Sequence, residues 1–256
     1  MVTTFLQGGL GNFLFQISAA VSLANKNNDI TVFSEDNIYV VHNQINTYKN
    51  NILRNISFTN GMIPTTNVYN EPRFQYNEIP YKKDLKLIGY FQSEKYFTNR
   101  DKMLELFGPT PEIKEYINNK YGSFIDGSTC SIHVRRGDYL KHPTHHPTCS
   151  LEYYKKAMNV MPIGTRYLVF SDDIDWCKEN FKGHHMTFIE NEKDYIDLYI
   201  MSMCKHNITA NSSFSWWGAW LNPNRRKIVI SPLNWFGPDK IGFTTEDLIP
   251  KTWNQI

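Results

Sequence analysis

Apolar and polar positions alternate near the start of the chain in a way that predicts a β-α-β unit. Residues 2–6 form an apolar run typical of a strand, and a glycine-rich turn follows at residues 8–11. Apolar residues then recur at helical spacing over residues 12–26, and a second strand-like run lies at residues 30–34. Such a unit indicates a parallel sheet with helices on its faces.

The same alternation returns in the second half, where roughly five strands between residues 127 and 232 alternate with helices. We therefore predict an α/β fold with two Rossmann-like lobes facing a cleft, one at residues 1–115 and the other at residues 116–256. The pattern predicts strands at 86–91, 166–173, 186–190, 206–213 and 227–232, and a strand that runs into a polar loop at 129–139. It predicts helices at 96–107, 111–122, 150–161, 174–181, 194–205 and 214–222, and irregular structure with short strands at 40–80.

Composition narrows the class of protein. The 256 residues are 41% hydrophobic and 14% aromatic, enough for a packed core, and the net charge of +2 without a basic stripe argues against nucleic-acid binding. The four cysteines form no C-x-x-C pair, so a cysteine zinc site is not predicted and a reducing compartment is favoured. Neither a signal peptide nor a membrane span is apparent, which leaves at most peripheral membrane contact.

Polar clusters follow four of the predicted strands. Ligands of open parallel sheets bind outside the carboxyl ends of the strands, so these clusters are candidate binding residues. They are residues 7–12 (QGGLGN), 133–139 (HVRRGDY), 171–173 (SDD) and 211–215 (NSSFS).

Arg135 and Arg136 come directly after a strand. A guanidinium group offers a planar pair of donors to a phosphate or carboxylate. The alternative is a surface arginine pair bridged to Asp138.

The junction at residues 211–215 precedes a helix, so its Asn and Ser side chains either cap that helix or help to bind an anion there. The tryptophans that follow, Trp216, Trp217 and Trp220, are expected in the core.

Asp172 and Asp173 can accept hydrogen bonds from ribose or guanine, hold a metal together with Asp175, or cap the next helix. Taken together, these strand ends describe a pocket for a nucleoside diphosphate.

The segments GGLGNFLFQ, HVRRGDY, FSDD and ANSSFSWWGAWL together resemble the α-1,2-fucosyltransferases of glycosyltransferase family 11, over residues 6–236. The resemblance implies a GT-B-like fold, with the acceptor mostly on the first lobe and GDP-fucose mostly on the second. It implies inverting transfer of L-fucose from GDP-β-L-fucose to O2 of a terminal β-galactose, so the expected partners are GDP-fucose and a β-galactoside glycan. No cofactor or metal is expected to be required. A cytoplasmic location is expected because no membrane anchor is apparent.

The resemblance also implies residue roles. Arg135 would grip the β-phosphate, Arg136 would support its loop, and Asp172, ahead of Asp173, would read guanine or ribose. The glycine turn would bring Asn12 towards the reacting centre, as in the protein O-fucosyltransferases. Glycine is expected in this turn because a Cβ would clash with the donor there. The implied catalytic residues are Arg135, Asp138, Asn12 and His133, and the implied substrate-binding residues are Gly9, Gly11, Arg136, Asp172, Asp173, Asn211, Ser212, Ser213 and Phe214.

The general base stays open among Asp138, His133 and Asp197. Asp138 is slightly favoured because its loop is nearest the expected phosphate, but its carboxylate could instead hold Arg136.

Two other functions also remain. A nucleotide-binding oxidoreductase would need an acid about 20 residues after the glycine turn, which Glu35 or Asp36 roughly supplies. It leaves HVRRGDY and NSSFSWW unexplained. A catalytically inactive glycan-binding relative is the other alternative.

Overall fold

A computed structural model describes residues 1–36, 38–39 and 45–256. The chain forms two compact units, Met1–Pro109 with Phe243–Leu248, and Thr110–Gly242 with Ile249–Ile256. The boundary drawn after residue 115 thus falls within a helix of the second unit, and a short C-terminal segment belongs with the first. In the ranges just given, no helix has both the length and the apolar character needed to cross a bilayer.

The described residues form eight α-helices and thirteen short strands. The helices are α1 (Leu10–Lys26), α2 (Ile45–Lys49), α3 (Arg100–Phe107), α4 (Pro111–Tyr121), α5 (Leu151–Val160), α6 (Ile174–Asn180), α7 (Asp194–Met203) and α8 (Ser213–Leu221). The strands are β1 (Val2–Thr4), β2 (Leu6–Gln7), β3 (Phe33–Ser34), β4 (Ile38–Tyr39), β5 (Phe58–Thr59), β6 (Asn67–Asn70), β7 (Leu85–Ile88), β8 (Thr129–Val134), β9 (Arg166–Ser171), β10 (Met186–Phe188), β11 (His206–Ile208), β12 (Val229–Ser231) and β13 (Asn254–Gln255).

In the first unit, β1, β7 and β6 form a parallel sheet in that order, and β2–β4 and β3–β5 are separate parallel pairs. The predicted β-α-β unit is confirmed, because α1 follows β1 and Thr31 bridges in parallel to Val2. The strand predicted at 30–34 shortens to Phe33–Ser34. Parallel strands run in the same direction, so the residues that follow β6 and β7 lie at one edge of this sheet.

Two predictions in the first unit change. The helix predicted from residue 96 begins at Arg100, because the Asn99 side chain accepts from the Lys102 backbone N–H and caps it there. The region at 40–80 contains β5 and β6, as expected, but also the short helix α2. Its residues 40–44 lie outside the described residues.

The second unit contains a parallel six-stranded sheet in the order β10-β9-β8-β11-β12-β13. The five predicted strands are confirmed, and β13 adds a sixth that was not predicted. The strand predicted at 206–213 ends at Ile208, because the residues after it form the connection into α8. Ser150 caps α5 as predicted, accepting from the Tyr153 N–H at 3.1 Å.

The tryptophans of α8 are core residues, as predicted. Trp216 and Trp217 are fully buried and Trp220 is nearly so. The rings of Trp216 and Trp220 stack at 6.0 Å between centroids. Such burial anchors α8, so its N-terminus has a defined position at the end of β11.

Candidate active site

The predicted residues of the second unit lie at one edge of its sheet. β8 pairs in parallel with β9 on one side and with β11 on the other. The residues that follow these three neighbouring strands therefore meet at the carboxyl edge. They are Arg135, Arg136 and Asp138 after β8, Asp172 and Asp173 after β9, and Asn211, Ser212, Ser213 and Phe214 after β11.

Arg135 faces two carboxylates with its two terminal nitrogens. Nη1 lies 3.1 Å from Asp172 Oδ2, and Nη2 lies 2.8 Å from Asp138 Oδ1. Asp138 therefore holds Arg135 and not Arg136, the partner considered from the sequence. The Arg135 side chain keeps 35% of its surface exposed, so a ligand can reach the guanidinium group.

Arg136 has a separate environment. Its Nε donates to Asp173 Oδ2 at 2.9 Å, and its Cζ lies 4.1 Å from the ring centroid of Trp176. Trp176 belongs to α6, so Arg136 connects the loop after β8 to that helix. These contacts fit the supporting role that was expected of it.

Asp172 and Asp173 both have internal partners. Asp172 Oδ1 accepts from the Arg136 backbone N–H at 2.9 Å, and a Cβ on Gly137 would lie 2.6 Å from Oδ2. Asp173 caps α6, with Oδ1 accepting from the Trp176 N–H at 3.3 Å. Both oxygens of Asp173 are thus engaged, so the capping alternative holds. Reading of guanine or ribose by either residue stays a prediction.

His133 is buried at the end of β8, with its ring 5.4 Å from that of Phe214. Its Nδ1 has no hydrogen-bond partner among the described residues. Burial, with a smaller effect from the Arg135 charge, lowers the pKa of His133 to about 3. The imidazole is therefore neutral at pH 7 and poorly matched to the task of a general base, which needs a pKa near the working pH.

The buried Asn211 side chain connects separate segments of the chain. It is 1% exposed, and its Nδ2 donates to the carbonyls of Pro147 at 2.8 Å and Trp235 at 3.0 Å. The backbone carbonyl of Asn211 accepts from Tyr139 Oη at 2.9 Å. Any contribution of the Asn211 side chain to ligand binding is therefore indirect, through the chain segments that it ties together.

Ser212 is the N-cap residue of α8, but its side chain makes no capping hydrogen bond. Ser213 begins the helix and, like Phe214, is partly exposed. The first N–H groups of a helix have no intrahelical acceptor, and the helix dipole favours an anion beside them. This helix start lies at the strand next to that of Arg135.

In the first unit, Asn12 lies in the first turn of α1, and its Oδ1 accepts from Gln92 Nε2 at 2.8 Å. Gly8 has a glycine requirement that arises within the protein and was not predicted. A Cβ on Gly8, at φ +88°, would lie 2.2 Å from Asn12 Nδ2, whereas a Cβ on Gly9 meets nothing within 4 Å. Gly11 is buried inside α1. Approach of Gly9 or Asn12 to a donor stays a prediction.

Sequence reasoning missed Gln16 and Glu71. Gln16 is fully buried in α1, accepting from the Gln7 N–H at 3.0 Å and donating to the Gly89 carbonyl at 3.2 Å. Its place on the apolar face of the helix was a usable signal. Glu71 follows β6 and accepts from the N–H groups of Tyr90 and Phe91, which no sequence pattern marks.

Three other acids were candidates from the sequence, Asp197 for the general base and Glu35 or Asp36 for the acid of an oxidoreductase. Asp197 lies on α7, where burial and the charges of Glu192 and Asp194 raise its pKa to about 8. Glu35 forms an ion pair with Lys49, and Asp36 Oδ2 accepts from the Gly61 N–H at 2.8 Å. Within the part of the chain that the structure describes, no group of three or more His, Cys, Asp and Glu side chains is arranged to hold a metal ion.

The two parallel α/β units, with an arginine and a helix start at neighbouring strand ends of the second, are typical of the GT-B-like fold. Solved structures share this fold. NodZ α-1,6-fucosyltransferase soaked with GDP-fucose aligns at a TM-score of 0.52 and 15% identity, covering 90% of this chain and 94% of the other. POFUT1 in complex with GDP aligns at 0.55 and 12%, covering 90% and 97%. The predicted GT-B-like architecture is confirmed.

The whole chain, residues 1–256, matches glycosyl transferase family 11 and belongs to it. The Escherichia coli O-antigen biosynthesis glycosyltransferase WbnK is 30% identical, over 95% of this chain and 98% of the relative. An Escherichia coli α-1,2-colitosyltransferase is 35% identical over 68% and 63%. The Caenorhabditis elegans galactoside 2-α-L-fucosyltransferase is 25% identical over 100% and 79%. The predicted family is confirmed, which rules out the oxidoreductase.

Proposed function

We propose that this enzyme transfers L-fucose from GDP-β-L-fucose to O2 of a terminal β-galactose, with inversion at the anomeric carbon and without a required metal or cofactor. Membership of family 11 and the galactoside 2-α-L-fucosyltransferase among its relatives support the reaction. A cytoplasmic site of action fits four cysteines that are all unpaired.

The observation that carries the donor assignment is the pairing of Arg135 with the start of α8. They follow β8 and β11, which are neighbours in the sheet. A guanidinium group and a helix N-terminus are both suited to bind a diphosphate. The Phe214 ring, packed on the neutral His133, adds an apolar wall beside them.

Donor binding would change the partners of Arg135. Asp172 is held on the loop by the Arg136 N–H, whereas the Asp138 side chain is 59% exposed. A β-phosphate would therefore replace Asp138 on Nη2 and leave Asp172 on Nη1. This exchange would release the Asp138 carboxylate, the favoured candidate for the base that accepts the proton of the galactose O2.

The arginine then acts on charge that grows during the reaction. As the bond from the anomeric carbon to the phosphate oxygen breaks, the fucosyl ring gains oxocarbenium character and the β-phosphate gains negative charge. A positioned donor at such an oxygen is worth about 3 kcal/mol in the transition state. The acceptor hydroxyl attacks the opposite face of the ring, which inverts the anomeric configuration.

The test is transfer from radiolabelled GDP-fucose to lactose, assayed with and without EDTA. We expect a labelled trisaccharide, an α-1,2 linkage by NMR, and equal rates in both conditions. Loss of activity in EDTA that Mg²⁺ restores would contradict metal independence. Binding of lactose without transfer or GDP release would instead identify an inactive glycan-binding relative.

A colitosyl donor is a second candidate, favoured by the α-1,2-colitosyltransferase among the relatives. Colitose is L-fucose without the 3-hydroxyl group. A site that hydrogen-bonds this hydroxyl discriminates strongly against a sugar that lacks it, because its polar groups would be left unpaired. The ratio of kcat/KM for the two donors separates the assignments, and a ratio in favour of the colitosyl donor would overturn the first.

A further inference from the structure

Glu71 binds the backbone of a neighbouring strand end in the first unit. It follows β6, and Oε2 accepts from the Tyr90 N–H at 2.7 Å while Oε1 accepts from the Phe91 N–H at 3.1 Å. Tyr90 and Phe91 follow β7, the strand paired with β6. The carboxylate therefore holds the turn at residues 89–92 at the carboxyl edge of this sheet.

The turn depends on this contact. Phe91 has φ +52°, a left-handed conformation that is strained for an aromatic residue, so surrounding contacts must hold it. A Cβ on Gly89 would lie 2.4 Å from Glu71 Cβ, so only glycine permits this approach. Gln16 secures the same turn from α1 through the Gly89 carbonyl.

The turn ends at the residue that contacts Asn12. Gln92 Nε2 donates to Asn12 Oδ1 at 2.8 Å. This hydrogen bond fixes the orientation of the Asn12 carboxamide, with its oxygen towards Gln92 and its NH₂ group on the other side. A continuous path of hydrogen bonds and one short turn thus leads from Glu71 to Asn12.

The ionised form of Glu71 is unfavourable for the fold. Burial raises the pKa of Glu71 to about 7, although the two N–H groups act in the opposite direction. The titratable groups that face it are Tyr69 and Tyr96, neither of them a cation. A buried carboxylate that opposes stability at neutral pH is more readily explained by function than by folding.

We propose that Glu71 is a positioning residue that orients the Asn12 carboxamide through the turn at residues 89–92. This inference rests on the proposed function, in which Asn12 takes part in fucosyl transfer. Ionised Glu71 accepts both N–H groups and holds the turn, and protonation would weaken both hydrogen bonds. The active orientation of Asn12 is then favoured above neutral pH.

The first experiment compares Glu71→Gln with wild type and with the control Glu78→Gln, whose side chain is 79% exposed. We expect Glu71→Gln to lower kcat about tenfold, with the KM for GDP-fucose little changed, because misplacing a reacting group lowers the rate more than binding. The midpoint of thermal unfolding should change little, because Gln keeps one acceptor oxygen for the turn and removes the cost of burying a charge. A fall in this midpoint that accounts for the lost activity, or an unchanged kcat, would overturn the proposal.

The second experiment places Glu71→Gln in an Asn12→Ala background. If Glu71 acts through Asn12, the second substitution should lower kcat no further, whereas independent effects should multiply. Multiplying effects would contradict the relay.

A third measurement does not depend on activity. The side-chain ¹⁵N resonance of Asn12, assigned by its loss in Asn12→Ala, should titrate near pH 7 in wild type and not in Glu71→Gln. Titration of Asn12 in an enzyme that fails to transfer fucose would refute the proposed function but keep the structural coupling. An Asn12 resonance without pH dependence in an active enzyme would refute the coupling alone.

Discussion

The guanidinium carbon of Arg136 lies 4.1 Å from the ring centroid of Trp176, whereas Arg135, one residue earlier, faces Asp138 and Asp172. Successive side chains at the end of a strand point to opposite sides, so two adjacent arginines enter different environments. Arg135 remains reachable by a ligand, and Arg136 is only 17% exposed. Arg135 is therefore the arginine that a ligand can reach, and Arg136 is the one that connects the loop to α6.

Replacing Arg136 with Lys should affect stability more than chemistry. The guanidinium group of Arg136 stacks on Trp176 while its Nε donates to Asp173, and lysine has no planar group that can do both. We expect the free energy of unfolding to fall by about 1–2 kcal/mol, measured by urea denaturation. Once folded, the variant should bind GDP within a few-fold of wild type, and a selective loss of GDP affinity at unchanged stability would assign Arg136 to the ligand instead.

Replacing Arg135 with Ala should affect chemistry more than stability. The substitution removes the donor that is proposed to bind the leaving diphosphate, so kcat should fall about 100-fold or more while the fold survives. Arg135→Lys should restore only part of the rate, because an ammonium group cannot form the same paired contacts. Full activity in a folded Arg135→Ala enzyme, measured by GDP-fucose turnover, would show that the assignment is wrong.

Gly137→Ala should disturb the same loop through sterics alone. The new Cβ would lie 2.6 Å from Asp172 Oδ2, so the carboxylate must leave the Arg136 N–H or the loop must move. We expect kcat/KM to fall about tenfold or more through misplacement of Arg135. Gly127→Ala is the matched control, since a Cβ there meets nothing within 4 Å, and equal effects of the two variants would count against the steric explanation.

The parts of this structure that follow from periodicity and strand-end chemistry could be predicted. Alternation marked β8 and a short apolar run marked β9, and the rule for open parallel sheets predicted that Arg135, Asp172 and Ser213 lie at one edge. The two-residue strand β13 could not be found, because two residues carry no alternation. Residues 209–212 were predicted as the small, polar end of the strand at 206–213, although they form the buried connection from β11 to α8.

Contacts that depend on tertiary structure were also beyond the sequence. The Tyr139 hydroxyl reaches the Asn211 carbonyl across 72 residues of chain, although Tyr139 stands inside the recognised motif. Glu71 binds backbone N–H groups, which every residue except proline has, so no side-chain pattern identifies its partners. The positive φ of Gly8 was likewise not predicted, because a single glycine among several in a turn does not show which of them takes that conformation.

Asn12→Ala should separate chemistry from donor binding. Asn12 belongs to the first unit, whereas the groups proposed to bind the diphosphate belong to the second. We expect fucosyl transfer to fall about 100-fold while the increase in unfolding temperature caused by GDP is unchanged. Gln92→Ala should lower the rate in the same direction by a smaller factor, because it removes only the hydrogen bond to Asn12 Oδ1. A lost GDP effect in Asn12→Ala would move this residue into donor binding.

Asp197 should make stability depend on pH. Its Oδ1 is buried without a hydrogen-bond partner among the described residues, and burial is the main reason that its pKa rises to about 8. In the unfolded chain the same carboxyl group ionises near pH 4, so between about pH 4 and pH 8 the folded state binds more protons. The free energy of unfolding therefore falls as pH rises through this window, by at most about 1.4 kcal/mol per pH unit from this residue.

Asp197→Asn removes this titration and keeps the shape of the side chain. Urea unfolding at pH 6 and pH 8 should show a smaller loss of stability with rising pH in the variant than in wild type. Glu71 contributes with the same sign to both proteins, so the difference between them isolates Asp197. The exposed Asp175 of α6 provides the control, because Asp175→Asn should leave the dependence as it is in wild type. If Asp197→Asn keeps the wild-type dependence, the carboxyl group must already be ionised at pH 6, with water or a cation supplying the partner that its Oδ1 lacks.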